Sequence, residues 1–468
     1  MKKHPLLLLL PVVVLVFAVS CRKNSFITSS NAVVQFSADT LFFDTVFVST
    51  GSITEFVKIV NGNNQKLRLS TVRLMGGAQS SFHLKIDGMA GPERDNIDLD
   101  AGDSIYIFVA VQIDPQAANL PFIVQDSIEV AFNGNKQYIQ LAAYGQNAHF
   151  LRNAVLTGNT VWDNRLPYVI LGSLRVDTNA VLTIPAGSRV YFHADAPLLV
   201  DGALVVNGSK YDSTRVVFQS DRLDPPYSGY PAGWPGIYFR ETSSGDHLQY
   251  AVIRNAYQSV VVLAPPAGAA PKVLLEQCII DNSYDAGILG VGGSLQANNC
   301  LISNCGKNIE VGGGGSYQFV QCTAVSYSNN YIAHTNPVLS VADLAQQGGV
   351  LVTGNLQAAF SNCIFWGDNG SVDNEVVVSR QGNSPFAVGF SHCLWRVKTA
   401  PAGVTTTGII ANQDPLFDSV NNARQYYDFH LQAGSPALGA GLPAGLLIDL
   451  DGNPRPASAP DLGCYQAK

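Results

Sequence analysis

Three phrases of the same make recur at an even pitch: Cys278-Ile-Ile-Asp-Asn282, Cys300-Leu-Ile-Ser-Asn304 and Cys322-Thr-Ala-Val-Ser326, with both steps 22 residues long. Looser echoes stand at Ala251-Val-Ile-Arg-Asn255, Cys363-Ile-Phe-Trp366 and Cys393-Leu-Trp395. Upstream, Gly172-Ser-Leu-Arg-Val176 returns 30 residues later as Gly202-Ala-Leu-Val-Val206. A short apolar strand closed by Asn or Gly cannot bury its inner face alone, but copies stacked on one another form a continuous core. A repeat of this length made of short strands predicts one turn of a parallel β-helix. The Leu and Asn spacing of a leucine-rich repeat is missing, and propeller blades need about 40 residues each. The recurring cysteines should then point inward, one above the next, as small buried hydrophobes.

Composition agrees with an all-β chain. Only 13% of residues are charged while 43 are glycine, which suits many turns and few solvated helix faces. The 28 Lys+Arg against 35 Asp+Glu leave a net charge of −7, and no basic face is visible, which argues against nucleic acid as a partner. Ahead of the repeats, residues 31–148 alternate in short runs at 40–48, 54–60, 103–113, 126–132 and 137–144. Gly51-Ser52, Asn61-Gly62-Asn63-Asn64 and Asn133-Gly134-Asn135 supply the turns. Asp103-Ser104-Ile105 and Asp126-Ser127-Ile128 open two strands alike, each Asp placed to accept from a nearby amide. This pattern predicts an immunoglobulin-like β-sandwich, without the Cys–Trp–Cys signature of antibody domains. The expected architecture is that sandwich followed by a parallel β-helix at 150–410.

The first residues read as an address. Lys2 and Lys3 precede an apolar run from Leu6 to Val19, too short to span a bilayer, and Ser20-Cys21 follow. Ala18-Val19-Ser20-Cys21 resembles a bacterial lipobox. The resemblance implies a signal peptide over 1–20, acylation of Cys21, a polar tether over 21–30 and an outer-membrane lipoprotein. The alternative is an ordinary signal peptide with a Cys at its boundary. Arg22 and Lys23 stand where some bacteria place acidic surface-export residues, so the periplasmic and surface faces both stay open.

A wider resemblance rests on Trp234-Pro-Gly-Ile-Tyr-Phe239 and His247-Leu-Gln-Tyr-Ala-Val-Ile-Arg-Asn255, which are similar to the repeats of pectin-lyase-like β-helix proteins. Asp414-Pro-Leu-Phe417, Tyr427-Asp-Phe-His-Leu431, Gly434-Ser-Pro-Ala437, Asp449-Leu-Asp-Gly-Asn-Pro-Arg455 and Asp461-Leu-Gly-Cys-Tyr465 resemble the C-terminal segment called choice-of-anchor Q. Together the layout looks like a Bacteroidetes-type β-helix lipoprotein. That implies a right-handed sense for the parallel β-helix and a carbohydrate-related envelope role, with residues 411–468 closing the fold and Arg455 paired with Asp449 or Asp461.

Catalytic constellations are sparse. Lyases and hydrolases on such a fold need clustered carboxylates with a basic neighbour. The chain has no Asp-Asp dipeptide and no Gly-His-Gly, and it shows neither an Asp-His pair nor a paired-Arg pattern of the pectate-lyase kind. No catalytic residue is assigned, and a site assembled from separate turns stays open. The strongest binding candidate is the insertion carrying Asp221, Asp224, Tyr227, Tyr230 and Trp234, whose aromatic faces and carboxylates suit a sugar's rings and hydroxyls. The alternative is a Pro-rich loop whose aromatics pack on the wall. Asp368, Asp373 and Glu375 read as a solvated loop, and His193 with Asp195 as a structural pair on one strand. Asp449-x-Asp451-Gly452 begins like a calcium loop, but Pro460 stands where an EF-hand has its Glu, so no cofactor or metal is expected. The seven cysteines beyond Cys21 are an odd number, and only Cys300 and Cys305 suggest a bridge across a corner. Three functions remain: a non-catalytic glycan- or partner-binding protein, a polysaccharide lyase or hydrolase, and a structural protein of envelope assembly.

Overall fold

The computed structural model describes residues 25–47, 54–112, 122–223, 226–264, 270–347, 349–368 and 370–467. Cys21 and the rest of the expected signal and lipobox lie outside them. The described chain is all-β with long parallel sheets, and it divides between Asn147 and Ala148.

The first unit is two five-stranded sheets. Val34–Phe36, Thr54–Asn61, Ser104–Val111, Phe82–Ile86 and Met89–Ala90 form one. Thr40–Phe47, Asn135–Gln146, Phe122–Phe132, Leu67–Leu74 and Glu93–Leu99 form the other. Strict alternation puts Val57, Ile59, Ile105, Ile107, Val109, Ile128, Val130, Ile139 and Leu141 inside. Phe43 of one sheet meets Phe82 of the other at 5.8 Å. Asn133-Gly134 turns the longest hairpin with φ of 46° and 82°, the left-handed pair that a two-residue loop requires. Asp103 and Asp126 each accept from the next residue's amide at 2.7 Å, although Asp126 sits inside its strand rather than at its start.

The last residues of the segment expected as a tether are held by the first unit. Phe26 bridges to Lys66, Ile27 donates to the Lys66 carbonyl at 2.9 Å, and Asn133 and Asn135 hold the carbonyls of Ile27, Ser29 and Ser30. Residues 26–30 therefore belong to the folded unit.

The second unit is built from an 18-stranded and a 10-stranded sheet, both parallel throughout, with a shared core between them. Register follows the sequence pitch: Ile280 pairs with Ile302, Ile302 with Ala324 and Ala324 with Phe365. Like therefore stacks on like. Phe319, Phe360 and Phe390 pile up at 5.3 and 4.9 Å. Cys278, Cys300, Cys322, Cys363 and Cys393 form the inward ladder, all buried and free, and Cys305 is also free, so no corner bridge forms. Each of these ladder thiols donates to carbonyls of its own turn and of the turn before.

Left-handed backbone recurs at two corners of the repeat. Gln277, Asn299, Gln321 and Asn362 adopt φ of 48–55° before the ladder cysteines, and Asn255, Asn282 and Asn304 adopt 51–61° after the strands. Asn tolerates this region at less cost than most residues, which explains the closing Asn of the repeated phrases.

Strands Leu301–Ser303, Thr323–Ser326 and Ile364–Gly367 are buried on both faces. Their outward residues Leu301, Val325, Ile364 and Trp366 pack under Phe417, Phe429, Leu431, Leu450 and Leu462. The closing segment is thus a strap laid lengthwise over many turns, not only a cap on the last. Arg215 reaches the Leu450 carbonyl at 2.9 Å, Asn299 the Ile448 carbonyl at 2.8 Å, and Asn362 the Leu442 carbonyl at 2.7 Å. Arg455 pairs with neither expected carboxylate: it donates to Asn299 Oδ1 and to the Gly463 carbonyl, both at 2.9 Å. Asp449 accepts the amides of Asp451, Asn453 and Gln466, and Asp461 those of Gly439 and Ala467.

Two outcomes follow from the strap. Arg455→Ala leaves buried acceptors unpaired and should lower stability by about 2–3 kcal/mol in chemical denaturation, with Arg455→Lys recovering little of the planar fork. His430, held at 3.0 Å by Asp451 and also by Asp428, has its imidazole pushed up to about 9 by those carboxylates. Its charged form stabilises fully below the ordinary histidine value, and that contribution is lost as pH rises through about 9. The melting temperature of the wild type should fall over that window more steeply than that of His430→Gln.

Candidate ligand-binding face

The stacked corner asparagines organise one side of the second unit. Asn255 Nδ2 donates to the Ser228 carbonyl at 2.7 Å, and Asn282 Nδ2 to the Gly229 carbonyl and to Asn255 Oδ1, both at 2.9 Å. These bonds lay the insertion after Asp221 across three turns, around the short 3₁₀ turn Tyr227–Gly229.

The candidate residues of this insertion divide. Trp234 is fully buried, stacked on Phe192 at 4.3 Å with its indole N–H on the Arg254 carbonyl at 3.0 Å. Its ring offers no face to a ligand; it anchors the loop. The following Gly236, at φ 125°, passes so close that a Cβ would fall 1.6 Å from the Gln258 carbonyl, which accounts for the glycine of this phrase. Asp221 holds the base of the loop through His193 at 2.9 Å, and burial raises its carboxyl above the usual range against the opposing pull of His193. His193 therefore partners Asp221 rather than Asp195, which accepts from the Gly172 amide. Tyr227 is exposed and Tyr230 half-buried, with their rings 5.2 Å apart, and Arg222 lies over Tyr227 at 3.8 Å. Tyr331, from a later loop, joins Tyr230 at 4.8 Å and completes an aromatic rim. Asp224 lies outside the described residues.

Beside the insertion opens a cavity of about 190 Å³ lined by Arg254, Asp281, Asn282, Asn304, Asn329 and Tyr427. Arg254 and Asp281 are neighbours in register on adjacent strands. Asp281 accepts from Ser303 at 2.6 Å, and burial raises its carboxyl above the ordinary range while Ser303 and Arg254 oppose that. Asn282 Oδ1 and Tyr427 Oη are buried without a hydrogen-bond partner. Unmet buried acceptors and donors are costly, so this cavity is suited to a hydroxyl-bearing guest or water.

A wider cavity of about 570 Å³ is lined by Tyr327, Trp366, Asp368, Asp414, Asn421 and Asn422. Tyr327 stacks on Tyr427 at 6.2 Å, so one ring of the pair lines each cavity. Asp368 accepts from the Ser328 amide at 2.9 Å through Oδ2, and its Oδ1 is buried and unpaired. Burial pushes the Tyr327 phenol well up, helped by Asp414 and Asp368.

The loop that brings Tyr327, Asn329 and Tyr331 here is held by a cluster that the sequence did not reveal. Glu375, expected in a solvated loop, is fully buried. It contacts His334 Nε2 at 3.0 Å and accepts from Arg396 at 2.7 Å. Gly367, on the wall of the wider cavity, leaves no room for a Cβ beside Glu375 and His334. Asp373 alone of the expected trio is an exposed acid, facing Lys398 at 3.4 Å. Removing Glu375 takes away the buried carboxylate that faces the Arg396 guanidinium. Glu375→Ala should therefore destabilise by about 3–5 kcal/mol and expose the 327–337 loop to proteolysis before the rest of the unit.

Among the described residues no group of three or more His, Cys, Asp or Glu side chains is arranged to hold a metal ion. No family model matches the chain, and no curated protein matches it. Solved structures give partial overlaps. A family 123 glycoside hydrolase from Clostridium perfringens is 9% identical over 28% of this chain and 30% of its own, at a TM-score of 0.19. The PapD-like domain 7 of human CEP192 is 10% identical over 24% and 84%, at 0.17. The Salmonella enterica SafA pilin in complex with the SafB chaperone is 10% identical over 25% and 56%, at 0.17. The chain spans under a third of the hydrolase, and overlaps this slight identify no family.

Proposed function

We propose that this is a lipid-anchored protein of the bacterial cell envelope that binds a glycan without cleaving it. In this reading Cys21 carries the lipid, the first unit is an immunoglobulin-like spacer, and the second is a right-handed parallel β-helix closed by a choice-of-anchor Q-like strap. The observation that carries the reading is the tyrosine rim of Tyr227, Tyr230 and Tyr331 beside a cavity with unpaired polar atoms on Asn282 and Tyr427. Aromatic faces stack on sugar rings, and orphaned amide and phenol groups bond hydroxyls. The smaller cavity has one carboxylate, Asp281, already bonded to Ser303. General acid–base hydrolysis of a glycosidic bond needs two.

A hydrolase reading is favoured by a different feature, the wider cavity where Asp368 and Asp414 both stand. A glycan array with the chain lacking its first 21 residues, followed by product analysis of every hit, separates the two. Binding without cleavage is expected, with Tyr230→Ala and Tyr331→Ala each weakening it about tenfold. Cleavage abolished by Asp368→Asn or Asp414→Asn would replace the binding reading with the hydrolase. Binding to no glycan would leave an envelope-assembly role as the account to pursue.

A further inference from the structure

The first unit carries an exposed face that neither its core nor the ligand-binding cavities use. Ser104–Val111 lies between Thr54–Asn61 and Phe82–Ile86, and its outward residues include Tyr106 and Phe108. Register places Phe56 and Lys85 on either side of Phe108, and Lys58 beside Tyr106. Phe56, Tyr106 and Phe108 are 51%, 42% and 39% exposed and lie within 5.6–6.2 Å of one another. Lys58 Nζ stands 5.8 Å from the Tyr106 ring. The neighbouring acid, Asp87, is paired with Arg94 at 2.7 Å. The face is therefore apolar, aromatic and flanked by two lysines.

Its position relative to the chain's entry narrows the occupant. Phe26 is pinned at Lys66, and Lys66 pairs with Asp100 at 3.1 Å. Asn61 bonds the carbonyls of Gln65 and Asp100 and takes its own amide bond to Asp103. These residues gather at the end of the sheets where Ser104 begins, and Tyr106 is two residues along, roughly 7 Å. Cys21 precedes Phe26 by five residues, so whatever their path they span at most about 18 Å. On the reading that Cys21 is acylated, this end of the unit is held within about 2 nm of the membrane.

We infer that the face formed by Phe56, Tyr106 and Phe108 rests on the lipid surface, with the rings in the headgroup layer and Lys58 and Lys85 on lipid phosphates. Aromatic rings favour that interface, and lysines extend their ammonium groups along it while their stems stay apolar. A glycan fits this face less well. Phe56 is inclined 57° to Tyr106 and 55° to Phe108, so the three rings make no flat platform, and the acid nearby is already paired. The other exposed aromatic pair of this unit, Phe42 with Tyr144, lies nine residues along the strand from Asn135, roughly 30 Å from the entry end.

The test uses the full chain, purified with its lipid and placed in vesicles of phosphatidylethanolamine with about a third phosphatidylglycerol. Lysines are labelled with a membrane-impermeant amine reagent and read by mass spectrometry, which also reports acylation of Cys21. The reference is the Cys21→Ala protein in buffer. Lys58 and Lys85 should label about fivefold more slowly in vesicles while Lys136, on the other sheet, is unchanged. Phe56→Ser with Phe108→Ser should restore their labelling without detaching the protein. Full labelling of Lys58 and Lys85 on an acylated protein overturns the inference and leaves the anchor standing. An unacylated Cys21 overturns both. Protection of these lysines by a soluble glycan in buffer would assign the face to sugar instead of lipid.

Discussion

Everything in the second unit depends on one constraint, that each turn of chain must present its backbone to the turns on both sides. A parallel strand buried between neighbours has no water to bond, so its amides and carbonyls must meet those of the next turn in register. The 22-residue pitch from Ile280 through Ile302 to Ala324 meets that demand. Once register is set, side chains repeat as columns, and the column decides the residue. Inside, cysteines and phenylalanines stack. At the corners, where the backbone turns left-handed, asparagine recurs.

The same columns produce the candidate site. Asn255 and Asn282 use their side-chain amides to hold a loop from outside the repeat, which is why Tyr227 and Tyr230 stand beside Arg254 and Asp281 rather than elsewhere on the wall. A second loop, fixed from below by Glu375, His334 and Arg396, brings Tyr331 to Tyr230 and Tyr327 to Tyr427. The strap contributes Tyr427 and Asp414, so the two cavities exist only because the closing segment turns back along the unit. Stability of the strap and shape of the site are therefore coupled.

Legibility in the sequence followed distance along the chain. The cysteine ladder and the corner asparagines were readable because like residues recur one pitch apart, as at Cys278, Cys300 and Cys322 or at Asn282 and Asn304. Asn133-Gly134 was readable because a tight turn is a local matter. The Glu375 cluster was not, since its partners lie 41 and 21 residues off on separate turns, and an acid beside Asn369-Gly370 looks solvated in one dimension. Arg215 and Leu450 are 235 residues apart, so the strap's reach had no local signal. For Trp234 the sequence left both readings open, because a tryptophan in a proline-rich loop carries the same letters whether it faces sugar or Phe192. Tyr331 was missed because a lone tyrosine in a polar stretch gains meaning only against Tyr230.

The central claim is that a glycan occupies the tyrosine rim. Tyrosine nitration with and without a bound glycan, mapped residue by residue, tests it most directly. The account predicts that Tyr227, Tyr230 and Tyr331 are shielded by ligand while the exposed Tyr211 and Tyr426 react as before. Shielding confined to other tyrosines, with the rim fully reactive in the complex, would contradict it.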